Sequence, residues 1–133
     1  MLAFALLLGG ETAAGAGWGI GLAAASSARA SAASAPTAPT GAASACTSAL
    51  GTTVRVSWNP VTAATSYTIW QSTTSATTGY AVAATGVSGL TWTSGNLTTG
   101  TYWFEVSSSI GLKWTSPNST ATAQRTILLA ACN

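Results

Sequence analysis

Apolar and polar residues alternate along residues 53–106, the part of the chain around which the rest is organised. Val54, Val56 and Trp58 alternate with Arg55 and Ser57. This is the two-residue period of a strand that buries one face. A strand is therefore predicted over residues 54–58.

The clearest alternation lies in residues 101–107. Tyr102, Phe104 and Val106 share one face, and Trp103 and Glu105 share the other. Gly, Pro and Asn residues separate this run from similar ones and mark turns. The pattern predicts seven short strands, at residues 42–50, 54–58, 66–70, 80–84, 90–93, 101–107 and 118–129, with loops at 72–79 and 110–117. Seven strands with regular turns favour an all-β antiparallel sandwich.

Residues 1–30 have a different pattern. Residues 2–8 form a compact apolar run, and small residues come after it at several Ala-x-Ala points, as in a signal peptide. A retained membrane-anchor helix over residues 2–25 also has the length that a bilayer requires, although Glu11 would then lie near mid-span. A third alternative is a helix packed within an assembly. An apolar N-terminal helix is expected here, and the first two alternatives both export the rest of the chain.

Residues 31–44 are rich in Ala, Ser and Thr and contain Pro36 and Pro39. Proline lacks the N–H that helices and inner strands need, and no apolar periodicity remains here. A disordered linker is predicted over residues 31–44, and the β domain is predicted over residues 45–133.

Composition restricts the chemistry further. The 133 residues include no His and no Asp, and only 5% are charged. Residues of the usual acid–base triads, paired-carboxylate sites and zinc sites are lacking, so no enzymatic activity, metal or cofactor is expected. A net charge of +2 is too small to hold a nucleic acid. The charged residues are Glu11, Arg29, Arg55, Glu105, Lys113 and Arg125.

The motifs within the strands resemble those of the fibronectin type III domain over about residues 36–127. The matching motifs are Val54-x-Val-x-Trp58-x-Pro60, Ser66-Tyr67-x-Ile69 and Leu97-x-x-Gly100-x-Tyr102-x-Phe104-x-Val106. The resemblance implies an immunoglobulin-like sandwich in which Trp58 is the core tryptophan. It also implies that the Tyr102 hydroxyl bonds the backbone near Leu97. The layout of leader, linker and domain further resembles small secreted proteins of high-GC Gram-positive bacteria.

One family feature is missing. Fibronectin type III domains often carry an Arg-Gly-Asp adhesion loop before the last strand, whereas this chain has Gly111-Leu-Lys-Trp114 there. Integrin-type adhesion is therefore not expected.

The chain has two cysteines, Cys46 and Cys132. In the topology that the resemblance implies, the first strand ends near the end of the last strand. An intradomain disulfide is therefore expected for an exported chain. In the chain-entropy model it would stabilise the fold by about 4–5 kcal/mol.

The tryptophans divide by strand parity. Trp58 and Trp92 are predicted to be core residues, while Trp70 and Trp103 fall on the outward face of neighbouring strands. With Tyr80 and Trp114 they form a predicted contact surface. Three alternatives remain for this surface: it packs against protein, it stacks on a polysaccharide, or other parts of the chain cover it.

These observations predict a non-enzymatic structural or adhesive module, secreted or anchored at the bacterial cell surface or in its matrix. Its expected partner is a protein, either a second copy or a cell-surface component, and it would meet a membrane only through its N-terminal segment. The alternative is a carbohydrate-binding accessory module associated with secreted polysaccharide-degrading enzymes. Nucleic acid is not an expected partner in either case.

Overall fold

The computed structural model describes residues 35–129 and 131–133. The predictions for residues 1–30 and for the first part of the linker lie outside these residues. Within the described part, no helix has the length and hydropathy that crossing a bilayer requires.

Two antiparallel sheets build the domain. The smaller sheet has the order β1-β2-β5, and the larger sheet has the order β4-β3-β6-β8-β9, with β7 also paired to β6. The strands of the described residues are β1 (Ala43–Cys46), β2 (Val54–Ser57), β3 (Ser66–Ser72), β4 (Ala81–Val87), β5 (Thr91–Thr93), β6 (Gly100–Ile110), β7 (Trp114–Thr115), β8 (Arg125–Leu128) and β9 (Ala131–Cys132). The all-β sandwich is thus confirmed.

The strands differ in number and extent from the seven predicted. β6 continues to Ile110 and turns back into β7, so residues 110–117 are partly a hairpin rather than a loop. The predicted final strand at 118–129 is reduced to β8, after which comes the short β9. β4 extends beyond its predicted end to Val87, and Gly86, at φ 68°, lies where its register with β3 shifts.

The core lies between the sheets. Trp58 packs on Tyr67 with ring centroids 5.3 Å apart, and Trp92 packs on Phe104 at 6.2 Å. Trp58 is buried as predicted, while Trp92 is half-buried against the core. The buried core residues are Val54, Val56, Trp58, Tyr67, Ile69, Tyr102, Phe104, Val106, Ile127 and Cys132.

The corner formed by Tyr102 also agrees with the resemblance. Its hydroxyl donates to the carbonyl of Thr98 at 2.9 Å, one residue from Leu97. A buried phenol needs such a partner, because leaving its polar atom unbonded would cost stability. The bond ties the start of β6 to the turn before it.

The domain begins earlier than predicted. Its compact unit starts at Ala35, and Pro36 and Pro39 are buried. The Ser108 hydroxyl donates to the carbonyl of Thr37 at 2.8 Å, and the Asn59 N–H donates to the carbonyl of Thr40 at 2.9 Å. Residues 35–44, predicted as part of a linker, therefore pack on the sandwich through proline rings and backbone carbonyls.

Cys46 and Cys132 form a disulfide with their Cα atoms 5.7 Å apart, as predicted. The bond joins the end of β1 to β9, between residues separated by 86 positions. In the entropy model, a loop of this length raises the free energy of unfolding by about 4–5 kcal/mol.

Along the edge of β6 opposite β3, three residues with hydroxyl side chains take the place of a regular neighbouring strand. Each of these residues donates its N–H to a β6 carbonyl and accepts the N–H of the same β6 residue on its side-chain oxygen. Each hydroxyl also donates to the carbonyl of the next residue in the chain. The pairs are Ser116 with Ser108, Ser119 with Val106 and Thr122 with Phe104.

We call this arrangement at Ser116, Ser119 and Thr122 the hydroxyl edge. It advances three residues for every two of β6, so a regular strand does not form there. The same bonding occurs once more in the smaller sheet, where Ser94 pairs with Val54. Because these hydroxyls are buried with the backbone groups that they satisfy, they stabilise the sheet as ladder bonds do.

Candidate functional site

The outer face of the larger sheet carries two of the predicted contact residues. Trp70 lies opposite Glu105 in the pairing of β3 with β6, and Trp103 lies opposite Ser72. Their parity is opposite to that of the core residues on the same strands. Both indoles are half-buried, and the Nε1 of Trp70 donates to the Ser107 hydroxyl at 3.0 Å. This bond holds the Trp70 side chain across the junction of β3 and β6.

Glu105 lies between these aromatic residues. It is half-buried, and its Oε2 accepts a hydrogen bond from Asn118 Nδ2 at 2.8 Å. Trp70 is its cross-strand partner, while Trp103 stands two positions along β6 on the same face. The carboxylate is thereby held in place at the centre of the face.

Tyr80 completes this group from the chain just before β4. Its hydroxyl donates to the carbonyl of Ala76 at 3.1 Å. Burial, and then the negative charge of the nearby Glu105, raises the pKa of Tyr80 to about 12. Tyr80 is therefore a neutral phenol beside the Glu105 carboxylate. We name the set of Trp70, Trp103, Tyr80 and Glu105 the aromatic face.

Trp114 does not join the aromatic face. It pairs with Ile110, whose parity on β6 is that of the core side rather than of Trp103 and Glu105. It is the first residue of β7, directly after the turn in which Gly111 adopts φ 60°. The sequence pattern predicts a loop over residues 110–117, which could fold back and bring Trp114 to the others. The observed hairpin extends β6 away from the face instead.

Glu105 and Asn118 were not among the predicted contact residues. A lone glutamate in an alternating strand usually indicates only a solvated face. The available signal was that Glu105 shares its parity with Trp103. The contact with Asn118 depends on the hydroxyl edge, which no two-residue period reveals.

Other chemistry has few candidate groups in the described residues. They contain no cluster of three or more His, Cys, Asp or Glu residues that could hold a metal ion. A groove of about 240 Å³ opens between β4 and the loop after β5, where Gln71, Val82, Trp92 and Asn96 are among its lining residues. It includes none of Trp103, Tyr80 and Glu105, so it is separate from the aromatic face.

The sequence matches no protein-family model and no curated protein. Solved structures do match. An Fn3-like protein from Clostridium thermocellum is 29% identical, with a TM-score of 0.60, and the match covers 67% of this chain and 91% of that one.

Two further structures agree with this match in fold. The domain FN3tt is 21% identical with a TM-score of 0.58, over 71% of this chain and 96% of its own. The fibronectin type-III domain of human fibronectin type III domain containing protein 3 is 23% identical with a TM-score of 0.52, over 71% of this chain and 87% of its own. Together with the sheet order, the buried Trp58 and the Tyr102 corner, these matches show that the described residues have the fold of a fibronectin type III domain.

Proposed function

We propose that this domain is a non-enzymatic adhesive module, exported to the bacterial cell surface or matrix, that contacts its partner through the aromatic face. The observation that carries the proposal is the placement of Trp70, Trp103 and Tyr80 on the side of the sheet that the core does not use. Aromatic side chains at a protein surface are enriched at contact sites. Here three of them lie around one carboxylate, outside the buried core.

The disulfide supports export. Disulfides persist in oxidising compartments and are rare in the cytosol, and Cys46–Cys132 closes most of the domain. The similarity to an Fn3-like protein from Clostridium thermocellum supports a bacterial setting. The lack of His and Asp supports a role in binding rather than in catalysis, because general acid–base chemistry has few candidate residues here.

Retention of the full chain on immobilised bacterial cell envelopes and on immobilised copies of itself tests the proposal. We expect Trp103→Ala to weaken retention about tenfold or more, as truncation of an aromatic contact residue commonly does. Leu50→Ala is the matched control, because Leu50 is an exposed apolar residue on a loop of the smaller sheet. Retention that Trp103→Ala leaves unchanged would contradict the proposal.

A second candidate function is the binding of a polysaccharide. The observation that favours it is the pair of polar groups, Glu105 and Asn118, beside the Trp70 and Trp103 rings. Such groups can bond sugar hydroxyls while the rings stack on sugar faces. Binding to insoluble chitin or cellulose that is lost in Trp103→Ala and kept in Leu50→Ala would favour this function over protein adhesion.

A further inference from the structure

The turn between β6 and β7 presents a cation flanked by apolar residues. Leu112 is fully exposed, Lys113 is exposed, and Trp114 is 42% exposed. They form the end of a hairpin whose β7 strand has only two residues. We name residues 111–114 the hairpin tip.

The aromatic face holds the opposite charge without a basic neighbour in the described part of the chain. Arg125 bonds the carbonyl of Ser44 through Nη2 at 2.6 Å and through Nε at 3.1 Å. Arg55 lies on β2 in the other sheet. The remaining described cation is Lys113.

Lys113 cannot reach Glu105 of its own chain. Glu105 lies five positions before Ile110, the last residue of β6 before the tip, which corresponds to about 17 Å of extended strand. This distance exceeds the length of a lysine side chain. A contact between the two groups therefore requires two copies of the chain.

We propose that the hairpin tip of one copy docks on the aromatic face of a second copy, with the Lys113 ammonium on the Glu105 carboxylate between the Trp70 and Trp103 rings. This inference rests on the proposed function and names its partner. An ammonium group between indole rings gains a cation–π attraction in addition to the ion pair. Leu112 and Trp114 would lie beside the aromatic face, against Val82, which is paired with Trp70 and 51% exposed.

The two surfaces differ, so the contact is heterologous. Each docked pair of copies leaves one tip and one face free, so the assembly grows as an open chain of domains rather than closing into a dimer. A chain with 5% charged residues and a net charge of +2 opposes such growth only weakly.

Complementation between two variants of the full chain tests the inference. Glu105→Gln keeps the tip and loses the charge of the face, while Lys113→Gln keeps the face and loses the charge of the tip. In sedimentation velocity, each variant alone should show self-association weakened about tenfold or more. An equimolar mixture should form a dimer and nothing larger, because it contains one intact tip and one intact face. Arg55→Gln is the control cation and should assemble as the parent chain does.

Several results would overturn the inference. One is a parent chain that stays monomeric at all concentrations; another is assembly that neither substitution weakens. A third is a mixture that gives no dimer. Binding of the monomer to a polysaccharide through Glu105 would also overturn it, because a glycan and not a second copy would then be the partner of the aromatic face.

The two proposals fail separately. If Trp103→Ala abolishes retention on cell envelopes while the parent chain is monomeric, the inference fails and the adhesive function stands. If Trp103→Ala changes neither retention nor assembly, the adhesive function fails as well.

Discussion

The two faces of β6 carry different kinds of side chain within one strand. Tyr102, Phe104 and Val106 point into the sandwich and are buried, whereas Trp103 and Glu105 on the other side are half-buried. The inner face needs only apolar volume and one satisfied phenol. The outer face combines partly exposed indoles with a carboxylate held by Asn118. The comparison separates residues that hold the fold from residues that remain available for contact.

Truncating one aromatic residue on each face should break the comparison most clearly. Phe104→Ala removes a fully buried side chain and should lower the free energy of unfolding by about 3–5 kcal/mol, through lost transfer energy and the cavity left behind. Trp103→Ala removes a half-buried side chain without leaving an enclosed cavity and should cost less, about 1–3 kcal/mol. Urea unfolding measures both values, and equal losses would contradict the assignment of the faces.

The inner face also depends on the hydroxyl edge. The Ser119 hydroxyl accepts the buried N–H of Val106 at 3.0 Å. Ser119→Ala removes this acceptor and should lower the free energy of unfolding by about 1–3 kcal/mol. The neighbouring exposed hydroxyl is the control, since Thr120→Ala should change stability by less than about 0.5 kcal/mol. Equal effects in urea unfolding would mean that the edge does not support β6.

The one phenol of the inner face of β6 should have a smaller effect. Tyr102→Phe keeps the ring and removes the bond to Thr98, so we expect a loss of about 0.5–1.5 kcal/mol. Thermal unfolding measures the loss. Thr99→Ala, on an exposed turn residue nearby, provides the baseline, and a Tyr102→Phe variant at that baseline would show that the corner bond does not stabilise the fold.

The smallest effect belongs to the outer face and depends on pH. The raised pKa of Tyr80, about 12 against an ordinary 10.0, means that the folded state keeps a proton that the unfolded state releases. Its contribution to stability is therefore complete below pH 10 and is lost as the pH rises through about 12.

In Glu105→Gln the pKa of Tyr80 should fall but stay above 10.0, because burial is the largest cause. Phenolate absorbance monitors the titration, and Tyr80→Phe identifies its step; an unchanged pKa in Glu105→Gln would place Tyr80 away from the carboxylate.

Strand parity predicted the inner face well, because a two-residue period and burial report the same physical division. It assigned Trp58, Tyr102 and Phe104 to the fold and left Trp70 and Trp103 outside the core. The resemblance to a known family supplied what periodicity could not, namely the corner bond of Tyr102.

Parity was less informative beyond Ile110. Gly111 and Lys113 suggest a loop in sequence, so the hairpin that separates Trp114 from the aromatic face was not predicted. The hydroxyl edge advances three residues for every two of β6, and serine and threonine in such a run resemble loop composition. The partner of Glu105, Asn118, was missed for the same reason.

The disulfide has a mechanical consequence for the adhesive module proposed above. Tension applied across the domain would pass from Cys46 directly to Cys132, over a Cα separation of 5.7 Å, and would bypass the strands between them. Those 86 positions would otherwise extend by roughly 290 Å when the sandwich was pulled open. Under load the oxidised domain can lengthen only outside the Cys46–Cys132 loop, whereas reduction would release the length of the whole loop.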